Sequence, residues 1–248
     1  MQATDSRHPA IDAILFDKDG TLLDFNATWV RVYEHAAAHV AARLDRPELA
    51  GSMLAATGMD PATGQIAPES ALACAANDEI AAIWARTAGL AQPAALTAEL
   101  EALFGAVEVR RAAPVAGLAA TLVRLREAGY RLGVATMDSV DMAEADLDLM
   151  GVRADFDFVC GADSGFGYKP QAGMVQGFCN AVGVSPRAVC MVGDTTHDLR
   201  MGRNASAGMV VGVLTGAGDL ASLEPLADAV LAGIAELPDW LVSIRATR

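Results

Sequence analysis

Ile14-Leu15-Phe16-Asp17-Lys18-Asp19-Gly20-Thr21 is the stretch that decides how this chain is to be read. A short apolar run ends in two carboxylates one residue apart, then a glycine and a hydroxyl. Such a run, closed by Gly and polar residues, reads as a buried strand emptying into a tight loop. In extended backbone, residues two apart point to the same side. Asp17 and Asp19 can therefore face one pocket while Lys18 faces away. Two carboxylates held this close repel unless a cation joins them or one keeps a proton. That points to a metal, to two carboxylates with different tasks, or to both. An ordinary Asp-Gly turn after a strand is the plain alternative for the dipeptide alone.

Beyond this stretch the pattern changes twice. From Asn26 to about Arg111 the sequence predicts helices only. Asn26 is a candidate N-cap for a helix from Ala27 to about Leu44, with Trp29, Val32, Tyr33, Ala36 and Val40 on its apolar face. A short helix starts at Pro47 or Glu48 and stops near Gly58. Further helices are expected from about Glu69 to Ala88 and from Pro93 to about Val109. This all-helical insert is large enough to be a small domain. Pro114 to Gly117 reads as a hinge. After it, strands (Arg131–Ala135, Phe156–Cys160, Ala188–Val192, Met209–Leu214 and a short Ala229–Leu231) alternate with helices. The fold class is therefore α/β: a doubly wound, mostly parallel sheet covered by helices on both faces, with an inserted helical domain. The division expected is residues 1–24 and 112–248 for the sheet domain and 25–111 for the insert.

Ligands of such sheets bind outside the carboxyl ends of the strands. Asp17, Thr136 and Asp194 each close an apolar run at such an end, so distant segments can meet at one edge. The insert leaves the chain at the same edge. Asp194 and Asp198, in Gly193-Asp194-Thr195-Thr196-His197-Asp198, form a second acidic pair. Hard oxygen donors of this kind suit Mg²⁺. Alternatively, Asp194 or Thr195 caps a helix and Asp198 balances its dipole. Thr136 offers a hydroxyl and free amides to phosphate oxygens. Lys169 follows a Gly-rich loop and is one of only two lysines, the other being Lys18.

Composition narrows the partners. The formal net charge of −13 over 248 residues argues against nucleic acid and anionic membranes. No apolar run approaches the ~20 residues of a membrane span, and the first ten residues lack a signal-peptide core. Cys74, Cys160, Cys179 and Cys190 show no CxxC pattern and no paired His ligands, which argues against zinc and fits a reducing, cytoplasmic compartment.

Together the residues at Asp17 to Thr21, Thr136, Lys169 and Gly193 to Asp198 resemble the four motifs of the haloacid dehalogenase (HAD) superfamily. The insert is similar to its helical type-1 cap, and Gly193 to Gly208 looks most like the phosphoglycolate phosphatase branch. Two positions depart from that pattern: Met137-Asp138 stands where the branch often has Asn-Lys, and Lys18 replaces a commoner apolar residue. The resemblance implies a phosphatase acting on a small phosphorylated metabolite. Asp17 would be the nucleophile that carries the phosphoryl group and Asp19 the general acid and base. Mg²⁺ would be bound by Asp17, the Asp19 carbonyl, Asp194 and Asp198, the last directly or through water. Thr136 and Lys169 would hold phosphoryl oxygens.

Dehalogenases lack an acid at the place of Asp19. Phosphonatase relatives use a cap lysine, and none occurs between Lys18 and Lys169. A sugar-phosphate mutase shares all four motifs. A non-catalytic binding module would be expected to have lost one of the four acids. In the cap, Asn26, Trp29, Arg31 and Arg86 could touch a leaving group. An arginine there would favour phosphoglycolate. His197 is expected to face solvent at a helix start. Oligomeric state is not legible.

Overall fold

The computed structural model describes residues 10–68, 70–106 and 112–246. Six strands form one parallel sheet: β1 (Ala13–Phe16), β2 (Arg131–Ala135), β3 (Phe158–Cys160), β4 (Val189–Gly193), β5 (Met209–Val213) and β6 (Ala229–Leu231). Their order across the sheet is β3-β2-β1-β4-β5-β6. β1 is central, with β2 on one side and β4 on the other. The chain winds in one direction from β1 to β3 and in the other from β4 to β6. The crevice of a doubly wound sheet opens where that direction reverses, beside the carboxyl end of β1.

Side-chain alternation along β1 assigns its two faces. Ile14 and Phe16 join one apolar cluster, with Leu118, Leu122 and Leu125 of α6 (Leu118–Glu127), Leu147 of α7 (Val140–Leu149), and Leu237 and Leu241 of α11 (Leu237–Ala246). Ala13 and Leu15 join the other, with Met174 and Phe178 of α8 (Gly173–Val182), Leu199 of α9 (Thr196–Asn204) and Leu223 of α10 (Leu220–Leu223). All four residues of β1 are fully buried, as the central strand of a sheet covered on both faces must be.

The insert comprises α1 (Phe25–Arg43), α2 (Leu49–Ala56), α3 (Ala71–Cys74), α4 (Asn77–Ala88) and α5 (Pro93–Phe104). Its buried residues, Trp29, Tyr33, Trp84 and Phe104 among them, form a third apolar cluster. The two chain crossings to the insert run side by side. The Val115 amide donates to the Leu22 carbonyl at 3.0 Å, and the Asp24 amide to Ala113 at 2.7 Å.

Several expected boundaries move, each for a visible reason. α1 is capped by Asp24, whose side chain accepts from the Ala27 amide at 2.9 Å, and not by Asn26. Pairing with Ala113 keeps the chain extended up to Asp24, so the helix begins directly after it. The helix expected from Glu69 to Ala88 is broken. Ala75 and Ala76 are extended between α3 and α4, and Glu69 lies outside the described residues. Alanines favour helix locally, but Tyr33 donates from its hydroxyl to the Leu72 carbonyl at 3.1 Å and ties this segment down; tertiary contact overrides propensity. α5 ends at Phe104, and the expected continuation to Val109 falls outside the described residues from position 107. β3 begins two residues later than expected because a 3₁₀ turn at Arg153–Asp155 precedes it. Among the described residues no helix is long and apolar enough to cross a membrane.

Candidate active site

Asp17 follows β1 directly, and its amide still donates to Val192 of β4 at 2.8 Å. That bond carries the sheet's register into the site. Beyond it the chain coils: the Lys18 carbonyl accepts from the Leu22 and Leu23 amides at 2.8 and 3.0 Å. Gly20 has a φ of 87°, where a side chain would be strained, and a Cβ on it or on Gly216 would collide with the Asp194 carboxylate. The two glycines thus let the loops after β1 and β5 close on Asp194 from both sides.

Asp17, Asp19, Thr136, Lys169, Asp194 and Asp198 all line one cavity of about 70 Å³ between the sheet edge and the insert. One carboxylate oxygen from each of Asp17, Asp194 and Asp198 lies within 4.8 Å of the others, and all three residues are buried. Lys169 Nζ donates to Asp17 Oδ1 at 2.5 Å and pairs with Asp198 Oδ1 at 2.7 Å. Asp194 Oδ2 accepts from the Ala217 amide at 2.8 Å. Asp17 Oδ2 is buried without a hydrogen-bond partner.

Burial pushes the Asp17 carboxyl up to about 7, with Lys169 pulling it down and Asp198 and Asp19 pushing it up further. Burial also drives Asp194 well above the ordinary carboxylate range, reinforced by Asp17 and Asp198. Burial works against the Lys169 charge, yet Asp17 and Asp198 outweigh it and hold its ammonium above the usual lysine value. Three buried carboxylates facing one ammonium lack positive charge. An all-oxygen donor set with an unpartnered Asp17 oxygen fits a hard divalent cation.

Asp198 sits in the first turn of α9, the capping alternative that the sequence offers, and also lines the cavity. Its Oδ2 accepts from the Thr195 amide and hydroxyl at 3.0 and 2.6 Å, in a capping box at the start of α9. Its Oδ1 faces Lys169. Thr136 is 1% exposed, and its Oγ1 accepts from the Asp138 amide at 3.2 Å, which leaves the hydroxyl proton for another acceptor.

On the insert side, Phe25, Trp29, Tyr33, Leu72, Ile80, Cys74 and Asn77 line the cavity. The Trp29 indole N–H donates to Asp19 Oδ1, a contact across the two regions. Asn26 and Arg31 line a different cavity with Gln65, and Arg86 is exposed. His197, expected to face solvent, instead lines the site cavity. Lys18 does not line that cavity, yet it is fully buried. It pairs with Asp19, Asp138 and Asp146 at 2.8, 2.9 and 2.7 Å. Sequence reasoning missed this cluster. The signal available was a pair of departures from the family pattern, one basic at 18 and one acidic at 138, which are partners in space.

A family model for haloacid dehalogenase-like hydrolases matches residues 11–206. The pyrophosphatase PpaX of Bacillus velezensis is 31% identical over 225 residues, 90% of this chain and 92% of the relative. A predicted phosphoglycolate phosphatase from Haemophilus somnus superposes with a TM-score of 0.69 at 19% identity, covering 93% of this chain and 98% of the other. CbbY from Rhodobacter sphaeroides, solved with phosphate, superposes at 0.65 with 23% identity, over 92% and 96%.

Proposed function

Because this chain belongs to the haloacid dehalogenase-like hydrolases and is a phosphatase of that family, we propose that it hydrolyses a small phosphate monoester through an aspartyl-phosphate on Asp17. The observation that carries the reading is the placement of Asp17: one oxygen on Lys169, the other buried without a partner, beside Asp194 and Asp198.

The Asp17 carboxylate attacks phosphorus and the bond to the leaving oxygen breaks. Asp19 gives its proton to that oxygen. In the second half, Asp19 takes a proton from water as the water attacks phosphorus, and the phosphorus bond to Asp17 breaks. Inorganic phosphate leaves and both carboxyl groups are restored. Thr136 and Lys169 hold the remaining phosphoryl oxygens. Asp17, the Asp19 main-chain carbonyl and Asp194 would hold Mg²⁺, which when bound offsets the repulsion between the attacking carboxylate and the phosphoryl group. Asp198 has its oxygens engaged by the α9 cap and by Lys169, so we assign it a contact to the ion through water. Residues 25–111 act as a cap over 1–24 and 112–248: they exclude bulk water and select the leaving group.

That selection favours a small, uncharged alcohol. Among the described residues, the insert lines the cavity with apolar groups and Asn77, and with no lysine or arginine. Phosphoglycolate, implied by the resemblance, and pyrophosphate, named for PpaX, both carry a second anionic group. They are the comparators in the decisive assay: free phosphate released from a panel of monoesters, 2-phosphoglycolate and pyrophosphate, with and without Mg²⁺. Release from a neutral-alcohol ester that depends on Mg²⁺ is expected. No release from any substrate ends the reading, and phosphoryl return to sugar without release makes the protein a mutase. We place it in the cytoplasm, where the thiols of its four cysteines, none of them in a disulfide, would stay reduced.

A further inference from the structure

We propose that Lys18 is a positioning residue that holds one oxygen of Asp19 so that the other is presented for proton transfer. The inference rests on the assignment of Asp19 as general acid and base. Lys18 is the residue between the two aspartates, and its side chain is fully buried, with its ammonium behind the cavity-lining Asp19 and Asp138 and 5.8 Å from the centre of the Trp29 ring. Its ammonium is fastened by Asp146 of α7, itself fully buried, and by Asp138 just beyond β2. The third partner is Asp19 Oδ2 at 2.8 Å. Asp146 alone would balance a structural lysine. The contact to Asp19 adds an orientation that the fold does not need.

The two oxygens of Asp19 have different kinds of partner. Oδ2 is held by Lys18 within the sheet domain, and Oδ1 by the Trp29 indole N–H from the insert. A substrate entering the cavity takes the place of the Trp29 N–H, and Oδ1 becomes free for the leaving oxygen. The Lys18 contact stays, because Lys18, Asp138 and Asp146 all belong to the sheet domain. The carboxylate then keeps its orientation at the moment its other oxygen is needed. A buried lysine bonded to two anchored carboxylates has little freedom, whereas a water in its place would leave Asp19 free to rotate.

The test is the leaving-group dependence of kcat/KM in the Mg²⁺-loaded enzyme. An alkyl phosphate needs a proton on its leaving oxygen; 4-nitrophenyl phosphate does not, because its phenolate departs readily. Lys18→Met should lower kcat/KM for the alkyl ester by about 10–100-fold, a part of what general acid catalysis supplies. The aryl ester should change by less than about threefold. Removing one partner of a buried pair strands the other charge, so Lys18→Met/Asp146→Leu is made in parallel and carries the test if the single variant fails to fold. Asp19→Ala is the reference. Should it show no greater loss on the alkyl ester, the assignment of Asp19 fails. If Asp19→Ala shows that dependence and the folded Lys18 variants lose equally on both esters, or lose nothing, Lys18 is only structural and this inference alone is overturned.

Discussion

Across one small cavity, the sheet edge presents Asp17, Thr136, Lys169, Asp194 and Asp198, whereas the insert presents mainly Phe25, Trp29, Tyr33, Leu72 and Ile80. The polar side is buried as thoroughly as the apolar one: Asp194 and Asp198 are each 1% exposed. Buried charge is costly unless it is paired. The sheet edge is therefore specified at each atom, by Lys169, by the Ala217 amide, by the capping box at Thr195 and, in our reading, by a bound ion. The insert faces few such demands, since apolar side chains of similar volume replace one another cheaply. The difference teaches where variation is tolerated. On the proposed reading, the chemistry sits on strand ends that the sheet registers, and the selection sits on helices that can be repacked.

Three substitutions would break or sharpen that contrast. Asp17→Asn should abolish turnover, by roughly 10³-fold or more, and phosphate release at the normal rate would remove Asp17 as nucleophile. The same variant reports the missing positive charge. In metal-free protein, burial raises the Asp17 carboxyl to about 7, so the folded state holds that proton more tightly than the unfolded state. The stability this contributes is present below about pH 4 and is lost as pH rises through 7. The melting temperature of the unsubstituted protein should therefore fall relative to Asp17→Asn between pH 4 and 8, and Mg²⁺ should restore it. A gap that stays constant with pH would refute the charge argument.

Asp198→Asn should raise the Mg²⁺ concentration for half-maximal activity by about 10–100-fold, the range for a partner that orients a metal site from behind. An unchanged requirement for Mg²⁺ would confine Asp198 to capping α9 and pairing with Lys169. The smallest effect is expected on the insert side. Trp29→Phe keeps the ring between Tyr33 and Phe104 but removes the N–H on Asp19. That contact must open before Oδ1 takes the leaving oxygen, so its removal should raise kcat/KM by up to one hydrogen bond's worth, roughly fivefold. A loss as large as that of Asp17→Asn would show that the insert takes part in the chemistry itself.

How much was legible follows the same division. β2 and β6 have the limits that local pattern predicts, because apolar runs bounded by Gly and polar residues are local signals. The spacing of Asp17 and Asp19 places both on one cavity for the same reason. The break at Ala75 and Ala76 was not legible: Tyr33 meets Leu72 across 39 residues, and nothing in an alanine-rich run announces it. Asp24 instead of Asn26 caps α1 because of pairing with Ala113, again a distant partner.

Lys18 marks the boundary between the two kinds of information. Period-two alternation in an extended chain predicts, from the sequence by itself, that Lys18 lies off the cavity that Asp17 and Asp19 share, and it does not line that cavity. Only the tertiary structure decided what it turns toward, because Asp146 is 128 residues away and reaches Lys18 through the packing of α7 on the sheet. Strand ends and carboxylate spacing are properties of neighbouring residues and can be read in order. Partners of a buried charge depend on which elements the fold packs together, and the linear chain carries no local trace of that.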